Sequence, residues 1–117
     1  MREISVQEEQ RIVRIAYSGC VTDADMAGGS PDERVGANGF SILVDLSGVD
    51  EFRVSGEAVE KVAKERKPVN DRRCAIVAPT AVAFGLSRMY QSYSGSPNVR
   101  VFQEASAALE WLAGRTE

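Results

Sequence analysis

Apolar and polar residues alternate in two short runs at the start of the chain. Ile4 and Val6 alternate with polar neighbours in the first run, and Val13, Ile15 and Tyr17 share one face of the second. A period of two is typical of half-buried strands. Because the polar residues 8–10 separate the two runs, the pattern predicts an antiparallel hairpin.

Two later segments are apolar almost throughout, which predicts strands that are covered on both faces, as in a parallel sheet. Residues 42–46 are apolar apart from Asp45, and residues 74–78 form the second segment. A last strand is predicted at Val99–Phe102. We expect residues 42–46 to form the central strand, with the rest of the chain packed around it.

Apolar residues recur every three to four positions in three segments, which predicts three amphipathic helices. The first begins at Ser55 and the second follows Thr80, and both residues are suited to cap a helix. The third spans residues 104–113, with Trp111 at the boundary of the core. The predicted inward positions are Ala58, Val59, Val62 and Ala63 in the first helix, Val82, Leu86, Met89, Tyr90 and Tyr93 in the second, and Ala105, Ala108, Leu109 and Leu112 in the third.

Glycine and proline modify this pattern at two places. A short helix is predicted around residues 23–27, with Thr22 as its cap, but the breakers that follow predict a long flexible loop around 27–39. Gly85 lies inside the second long helix, where glycine is less favourable than alanine by about 1 kcal/mol. Its presence predicts a close approach to the sheet or to a ligand.

The predicted element order is β-β-α-β-α-β-α-β-α, in a single domain spanning residues 1–117. Strands that are separated by helices require right-handed crossovers and parallel pairing. We therefore predict an α/β fold with one mixed, mostly parallel sheet of about five strands, antiparallel at the N-terminal hairpin, with helices packed on it. The edge strand of the hairpin is open to pairing with a second copy, so we expect a homodimer.

Composition and charge narrow the range of functions. The net charge is −3 and the one basic cluster, Arg72-Arg73, is next to Asp71, which argues against nucleic acid as a partner. No apolar run approaches the roughly 20 residues of a membrane span, and the N-terminus has no signal-peptide layout. We therefore expect a cytoplasmic protein in which Cys20 and Cys74 are reduced thiols.

The chain contains no histidine, which removes the commonest general base near neutral pH and the commonest zinc ligand. The two cysteines are far apart in the sequence, so a structural zinc site is not expected either. There are no paired carboxylates at a recognisable spacing and no pairing of a cysteine with a base. We expect neither a cofactor nor a catalytic site.

Residues 44–49, with the sequence VDLSGV, are followed by Ser55-Gly56, and this combination resembles the STAS family of sulfate-transporter and anti-sigma-factor-antagonist domains. Residues 75–79 and 84–90, with the ending at 99–102 and 108–112, resemble a STAS-like branch of small bacterial proteins. That branch, the anti-sigma-antagonist-like domains, is related in fold to the lipid-binding CRAL-TRIO domains. The resemblance covers most of the chain outside residues 26–39 and implies a STAS-like domain that binds a partner.

The resemblance does not extend to the usual switch of the family. In phosphorylated antagonists, the loop after the central strand carries Asp-Ser-Ser-Gly, and a partner kinase phosphorylates the first serine. The matching residues here are Arg53, Val54, Ser55 and Gly56, with arginine in place of aspartate and valine in place of the modified serine. The resemblance therefore implies the fold without its usual phosphoserine switch.

Two polar residues near the central strand have alternative interpretations. Asp45 either holds nearby backbone amides or contributes to a binding site at the carboxyl rim of the sheet. Ser55 is either a plain N-cap or a phosphorylation site at a helix N-terminus, with Arg53 close enough to pair with the phosphate.

The leading hypothesis is a non-catalytic regulatory domain that binds a protein, such as a kinase-type anti-sigma factor. Its surface would be the loop 49–55 and the start of the following helix. The predicted partner-binding residues are Asp45, Ser47, Arg53, Ser55, Glu57 and Thr80.

The alternative hypothesis is a small carrier or sensor for an apolar or amphiphilic, lipid-like ligand. The ligand would lie between the helix at 80–93 and the sheet, in a gap beside Gly85. Arg88 and Arg100 would hold an anionic headgroup at the mouth of this pocket. The predicted lining residues are Phe84, Gly85, Arg88, Met89, Tyr90 and Tyr93.

Overall fold

The computed structural model describes residues 2–26, 40–65, 73–95 and 97–114. The elements follow the predicted order, and the predicted loop at 27–39 lies outside the described residues. They are β1 (Arg2–Gln7), β2 (Ile12–Thr22), α1 (Asp23–Met26), β3 (Ser41–Arg53), α2 (Gly56–Glu65), β4 (Cys74–Val77), α3 (Ala81–Ser94), β5 (Val99–Phe102) and α4 (Ala105–Leu112).

The five strands form one sheet in the order β1-β2-β3-β4-β5, with β3 at its centre. β1 and β2 pair antiparallel, and every later pair is parallel. The mixed sheet predicted from the sequence is therefore confirmed. Because strand order follows chain order, right-handed crossovers place the connecting helices on one face of the sheet.

The two faces of the sheet have separate apolar clusters. Tyr90 of α3 packs against Cys74, Ile76 and Val99, on what we call the α3 face. α2 lies beside α3. α4 packs on the opposite face, the α4 face, where the buried cluster comprises Ile12, Leu43, Ala75, Val77, Ala108 and Trp111. No helix among the described residues is long and apolar enough to cross a membrane.

Several predicted inward positions are wrong. In α3, Val82 is 61% exposed and Tyr93 is 37% exposed, whereas the buried positions include the small residues Ala83 and Ser87. Small side chains let the helix lie close to the sheet, and its inward face follows Ala83, Ser87, Tyr90 and Ser94 rather than the predicted stripe. In α4, Ala105 is exposed, and Trp111 lies in the core rather than at its boundary.

The predicted loop at 49–55 is also wrong, because β3 continues to Arg53. It pairs with β2 as far as Thr22, although register shifts interrupt the ladder twice. At the first shift, two residues of β3 oppose Tyr17 alone, which is the pattern of a β-bulge. Gly48 follows this bulge, and a Cβ atom there would lie 3.2 Å from the Tyr17 carbonyl oxygen.

β4 pairs with β3 no further than Asp45. Beyond this point, residues 18–22 of β2 and 48–53 of β3 continue as a two-stranded ribbon, which we call the arm. The arm ends where α1 and α2 begin, so it determines where both helices start.

Candidate functional site

Asp45 lies on the α4 face of the central strand and is 9% exposed. Its carboxylate accepts hydrogen bonds from the Ser47 amide at 3.0 Å and from the Ser47 hydroxyl. It also forms an ion pair with Arg14 of β2, at 2.5 Å. These contacts match the first interpretation of Asp45, in which it holds nearby backbone amides. Because Ser47 is part of the first bulge, the amide lies in a strand rather than in a loop.

The environment of Asp45 lowers its pKa. Burial on its own raises the pKa of this carboxyl, but the hydrogen bonds from Ser47 and the charge of Arg14 together hold it below the usual range. Asp45 is therefore an anion at neutral pH, and its oxygens are occupied by three donors. Sequence reasoning did not identify Arg14, whose only signal was its place in an alternating strand.

Ser55 is the N-cap of α2, as predicted. Its hydroxyl oxygen accepts a hydrogen bond from the Ala58 amide at 3.1 Å. The amide and hydroxyl of Ser55 in turn donate to the carboxylate of Asp23, at 2.8 and 3.1 Å. The first residue of α1 thus holds the cap of α2. No sequence signal linked Asp23 to Ser55, because the two residues are 32 positions apart.

α1 has its own N-cap at Thr22, the residue before Asp23. The amide and hydroxyl of Thr22 donate to the Asp25 carboxylate at 2.8 and 3.1 Å. Thr22 is the predicted cap of α1, and its hydroxyl donates to a carboxylate within the same helix. This is the half of a capping box in which the acidic residue reaches back to the N-cap.

The surroundings of Ser55 do not favour a phosphate. The carboxylate of Asp23 contacts its hydroxyl, so an added phosphate would meet a like charge. Arg53, which was expected to pair with the phosphate, forms an ion pair with Glu51 instead. Of the two interpretations of Ser55, the contacts match the plain N-cap.

The structure divides the predicted partner-binding residues into two groups. Asp45 and Ser47 lie at the first bulge, on the α4 face. The other group is associated with the helix starts on the opposite face, and its members are Arg53, Ser55, Glu57 and Thr80. Thr80 caps α3, as predicted, by accepting from the Ala83 amide at 3.2 Å. The predicted residues are thus associated with two features of the fold, the first bulge and the helix starts.

The predicted ligand pocket depended on a gap between α3 and the sheet beside Gly85. Gly85 is exposed, with no atom within 4 Å of the position of an added Cβ, so the expected gap between helix and sheet is not beside it. Tyr90 faces the sheet, whereas Arg88 is exposed and lies over the Phe84 ring, with its guanidinium carbon 5.9 Å from the ring centroid. Met89 is half-buried and Tyr93 exposed. The six residues do not share one face of α3.

A group of residues that the sequence did not indicate surrounds Trp111. The guanidinium carbons of Arg73 and Arg100 lie 5.1 and 5.5 Å from the centroid of its ring. Phe102 approaches the same ring with a centroid distance of 5.8 Å. In register, Arg100 is opposite Ala75, which places it on the α4 face and therefore away from Arg88.

Comparisons with known proteins identify the fold. No family model matches the sequence, and no curated protein matches it closely. A similar solved structure is that of an uncharacterized protein from the DUF3478 family with a SpoIIAA-like fold, from Shewanella loihica PV-4. It matches with a TM-score of 0.62 over 96% of this chain and 92% of that chain, at 17% sequence identity. The chain has a SpoIIAA-like fold, which confirms the STAS-like fold implied by the resemblance.

Proposed function

We propose that this SpoIIAA-like domain is a non-catalytic binding module that docks a protein partner beside the starts of α2 and α3. The docking surface comprises Arg53, Ser55, Glu57, Thr80 and Val82. The observation that carries the proposal is Val82, a large apolar side chain that is 61% exposed in the first turn of α3. Protein interfaces have an apolar centre and a polar rim, and Val82 with the polar residues around it has this composition.

The character of the surrounding residues supports this surface. α2 and α3 lie side by side, and Ser55, Glu57 and Thr80 are exposed around their first turns. Glu51 and Asp23 add further carboxylates near the end of the arm. A partner with an apolar contact residue and basic residues around it would complement this surface.

Asp45 supports the non-catalytic part of the proposal. An effective general base has a pKa near the working pH and a free lone pair. Asp45 has a lowered pKa, and its carboxylate already accepts hydrogen bonds from Ser47 and Arg14. We therefore assign Asp45 and Ser47 to maintaining the bulge rather than to the docking surface.

Partner binding is proposed to be independent of phosphorylation of the chain. Asp23 places its carboxylate beside the Ser55 hydroxyl, at 3.1 Å. In this position the carboxylate occupies the place where a phosphorylated serine would need positive charge. The fraction of the protein that is bound would then depend on the concentration of the partner and not on phosphorylation of the chain.

The proposal is tested with purified bacterial kinase-type anti-sigma factors, by calorimetry with and without ATP. We expect binding that does not depend on ATP and that Val82→Asp weakens about tenfold or more, as expected for a central interface residue. Glu110→Lys, at an exposed position of α4, is the control and should leave the affinity unchanged.

Two outcomes would contradict parts of this proposal. No binding to any tested anti-sigma factor, with or without ATP, would exclude the proposed partner class. Binding that requires ATP, together with a mass increase from phosphorylation of the chain, would exclude phosphorylation-independent docking.

A further inference from the structure

Arg73 directly precedes β4 and Arg100 lies in the neighbouring strand β5, and both contact the same indole ring. Their guanidinium carbons lie 5.1 and 5.5 Å from the centroid of Trp111. Trp111 is 4% exposed and belongs to the buried cluster on the α4 face. Arg100 is exposed and Arg73 is half-buried, so the two cations lie where a buried ring meets solvent.

Neither arginine forms an ion pair with a carboxylate of the described residues. The ion pairs within that part of the chain join Arg14 to Asp45, Arg53 to Glu51 and Lys64 to Glu60. One nitrogen of Arg73 donates to the carbonyl oxygen of Trp111, near the end of α4, where a cation is favourable. This contact uses one of the five N–H donors of the Arg73 guanidinium. It does not explain why Arg100 lies over the same ring.

Stacking on an aromatic ring affects how an arginine binds other groups. The ring holds the plane of the guanidinium by cation–π attraction, while its N–H groups remain directed along that plane. Trp111 is fixed in the core, so both arginines are held in place before a ligand arrives. Such preorganisation reduces the entropy lost on binding.

The two positive charges also repel each other. Arg100 is opposite Ala75, which is two positions from Arg73, so the two side chains are diagonal neighbours on one face of the sheet. At this range the repulsion is appreciable at the protein surface, and an anion that contacts both arginines removes it. Phosphate suits the position because it offers several charged oxygens and guanidinium groups bind them in a bidentate manner.

We propose that Arg73, Arg100 and Trp111 form a binding site for a phosphate group, either of a free phosphate compound or of a lipid headgroup. The site is independent of the docking surface, because Arg100 and Trp111 lie on the α4 face whereas α2 and α3 belong to the opposite face. The protein therefore has one surface for a protein partner and another for an anion.

Trp111 is the sole tryptophan of the chain, so its fluorescence reports on this site directly. The full chain is titrated with sodium pyrophosphate at constant ionic strength. We expect a saturable change in Trp111 emission, and we expect Arg100→Gln to weaken the apparent affinity about tenfold or more, through loss of charge-assisted hydrogen bonds.

The chain offers a matched control for this titration. Arg88 also lies over an aromatic ring, that of Phe84, but no second guanidinium contacts that ring in the described residues. Arg88→Gln removes the same charge and should leave the pyrophosphate affinity unchanged. Arg73→Gln should weaken binding as Arg100→Gln does, and circular dichroism checks that each variant is folded.

A second arm of the experiment identifies the source of the phosphate. The protein is sedimented with phosphatidylcholine vesicles that contain or lack phosphatidic acid. Binding of pyrophosphate together with Arg100-dependent binding to the acidic vesicles indicates a lipid headgroup, and binding of pyrophosphate alone indicates a free compound. The absence of saturable binding to pyrophosphate, or an equal loss in Arg88→Gln, overturns the proposal.

Discussion

At the scale of single residues, Asp45 shows how a polar group is accommodated in a mostly apolar strand. Hydrogen bonds from Ser47 of the same strand and the ion pair with Arg14 of the neighbouring strand offset the free-energy cost of burying its carboxylate. The side chain of Arg14 is 42% exposed, so solvent screens part of the ion pair. The hydrogen bonds from Ser47 contribute as well, because they stabilise the turn of the backbone at the bulge.

We expect Asp45→Asn to lower the free energy of unfolding at neutral pH by about 2 kcal/mol, since it weakens charge-assisted hydrogen bonds and leaves Arg14 without its carboxylate. Urea unfolding of the two proteins measures the difference. Asp50→Asn, which removes an exposed carboxylate on the arm, is the control and should have little effect.

The loss of stability in Asp45→Asn is also expected to depend on pH. The folded-state pKa of Asp45 is lower than its unfolded value, so this carboxylate stabilises the fold fully above about pH 4 and progressively less as the pH falls through the folded pKa. We therefore expect the difference in stability between the native chain and Asp45→Asn to shrink in acid. A difference that stays constant down to pH 2 would contradict this account.

At the scale of elements, α1 and α2 are connected through the Asp23–Ser55 contact. The serine caps α2, while the aspartate binds both polar groups of the serine. Removing either side chain therefore affects the same helix start. Both residues are exposed, so the individual effects are modest.

We expect Ser55→Ala to lower the free energy of unfolding by about 1 kcal/mol, through loss of the cap. Asp23→Ala should lower it as well, and the double variant should be more stable than the sum of the two effects implies, because the residues share a hydrogen bond. Chemical unfolding of the four proteins completes the cycle. Thr80→Ala provides the comparison, since this cap of α3 has no hydrogen bond to Asp23 and its effect should be additive with Asp23→Ala.

Gly85 offers a test of the helix surface. The position is exposed, and an added Cβ would meet no atom within 4 Å. We therefore expect Gly85→Ala to raise the free energy of unfolding by about 1 kcal/mol, the difference in helix propensity between these residues. Thermal and urea unfolding measure the change. Destabilisation by this substitution would indicate that α3 has a close neighbour there after all.

Most of the helices, strands and helix caps are predictable from the sequence. The hairpin, the buried strands and the caps at Ser55 and Thr80 follow from local patterns, because period and capping chemistry are local properties. The extension of β3 to Arg53 is not predictable in this way, since the bulges break the alternation on which a strand assignment depends. The inward face of α3 depends on how closely the helix approaches the sheet, which the sizes of its residues alone do not determine.

At the scale of the whole molecule, the topology follows from chain order and the handedness of crossovers, but the sites do not. The pairing of β4 with β5 makes Arg73 and Arg100 neighbours on one face of the sheet, and the packing of α4 places Trp111 against both. Asp23 likewise reaches Ser55 across the end of the arm. Contacts of this kind depend on the three-dimensional arrangement, and each joins residues that have no recognisable spacing.

The arm gives the two proposed surfaces different mobility. Where β3 is flanked by β2 and β4 its backbone is part of the central ladder, but residues 48–53 pair with β2 alone. Local opening of this ribbon breaks few apolar contacts, so deuterium should replace its amide protons sooner than those of Ile42 to Asp45. The start of α2 would then adjust to an incoming protein, while the anion site beside Trp111 stays rigid.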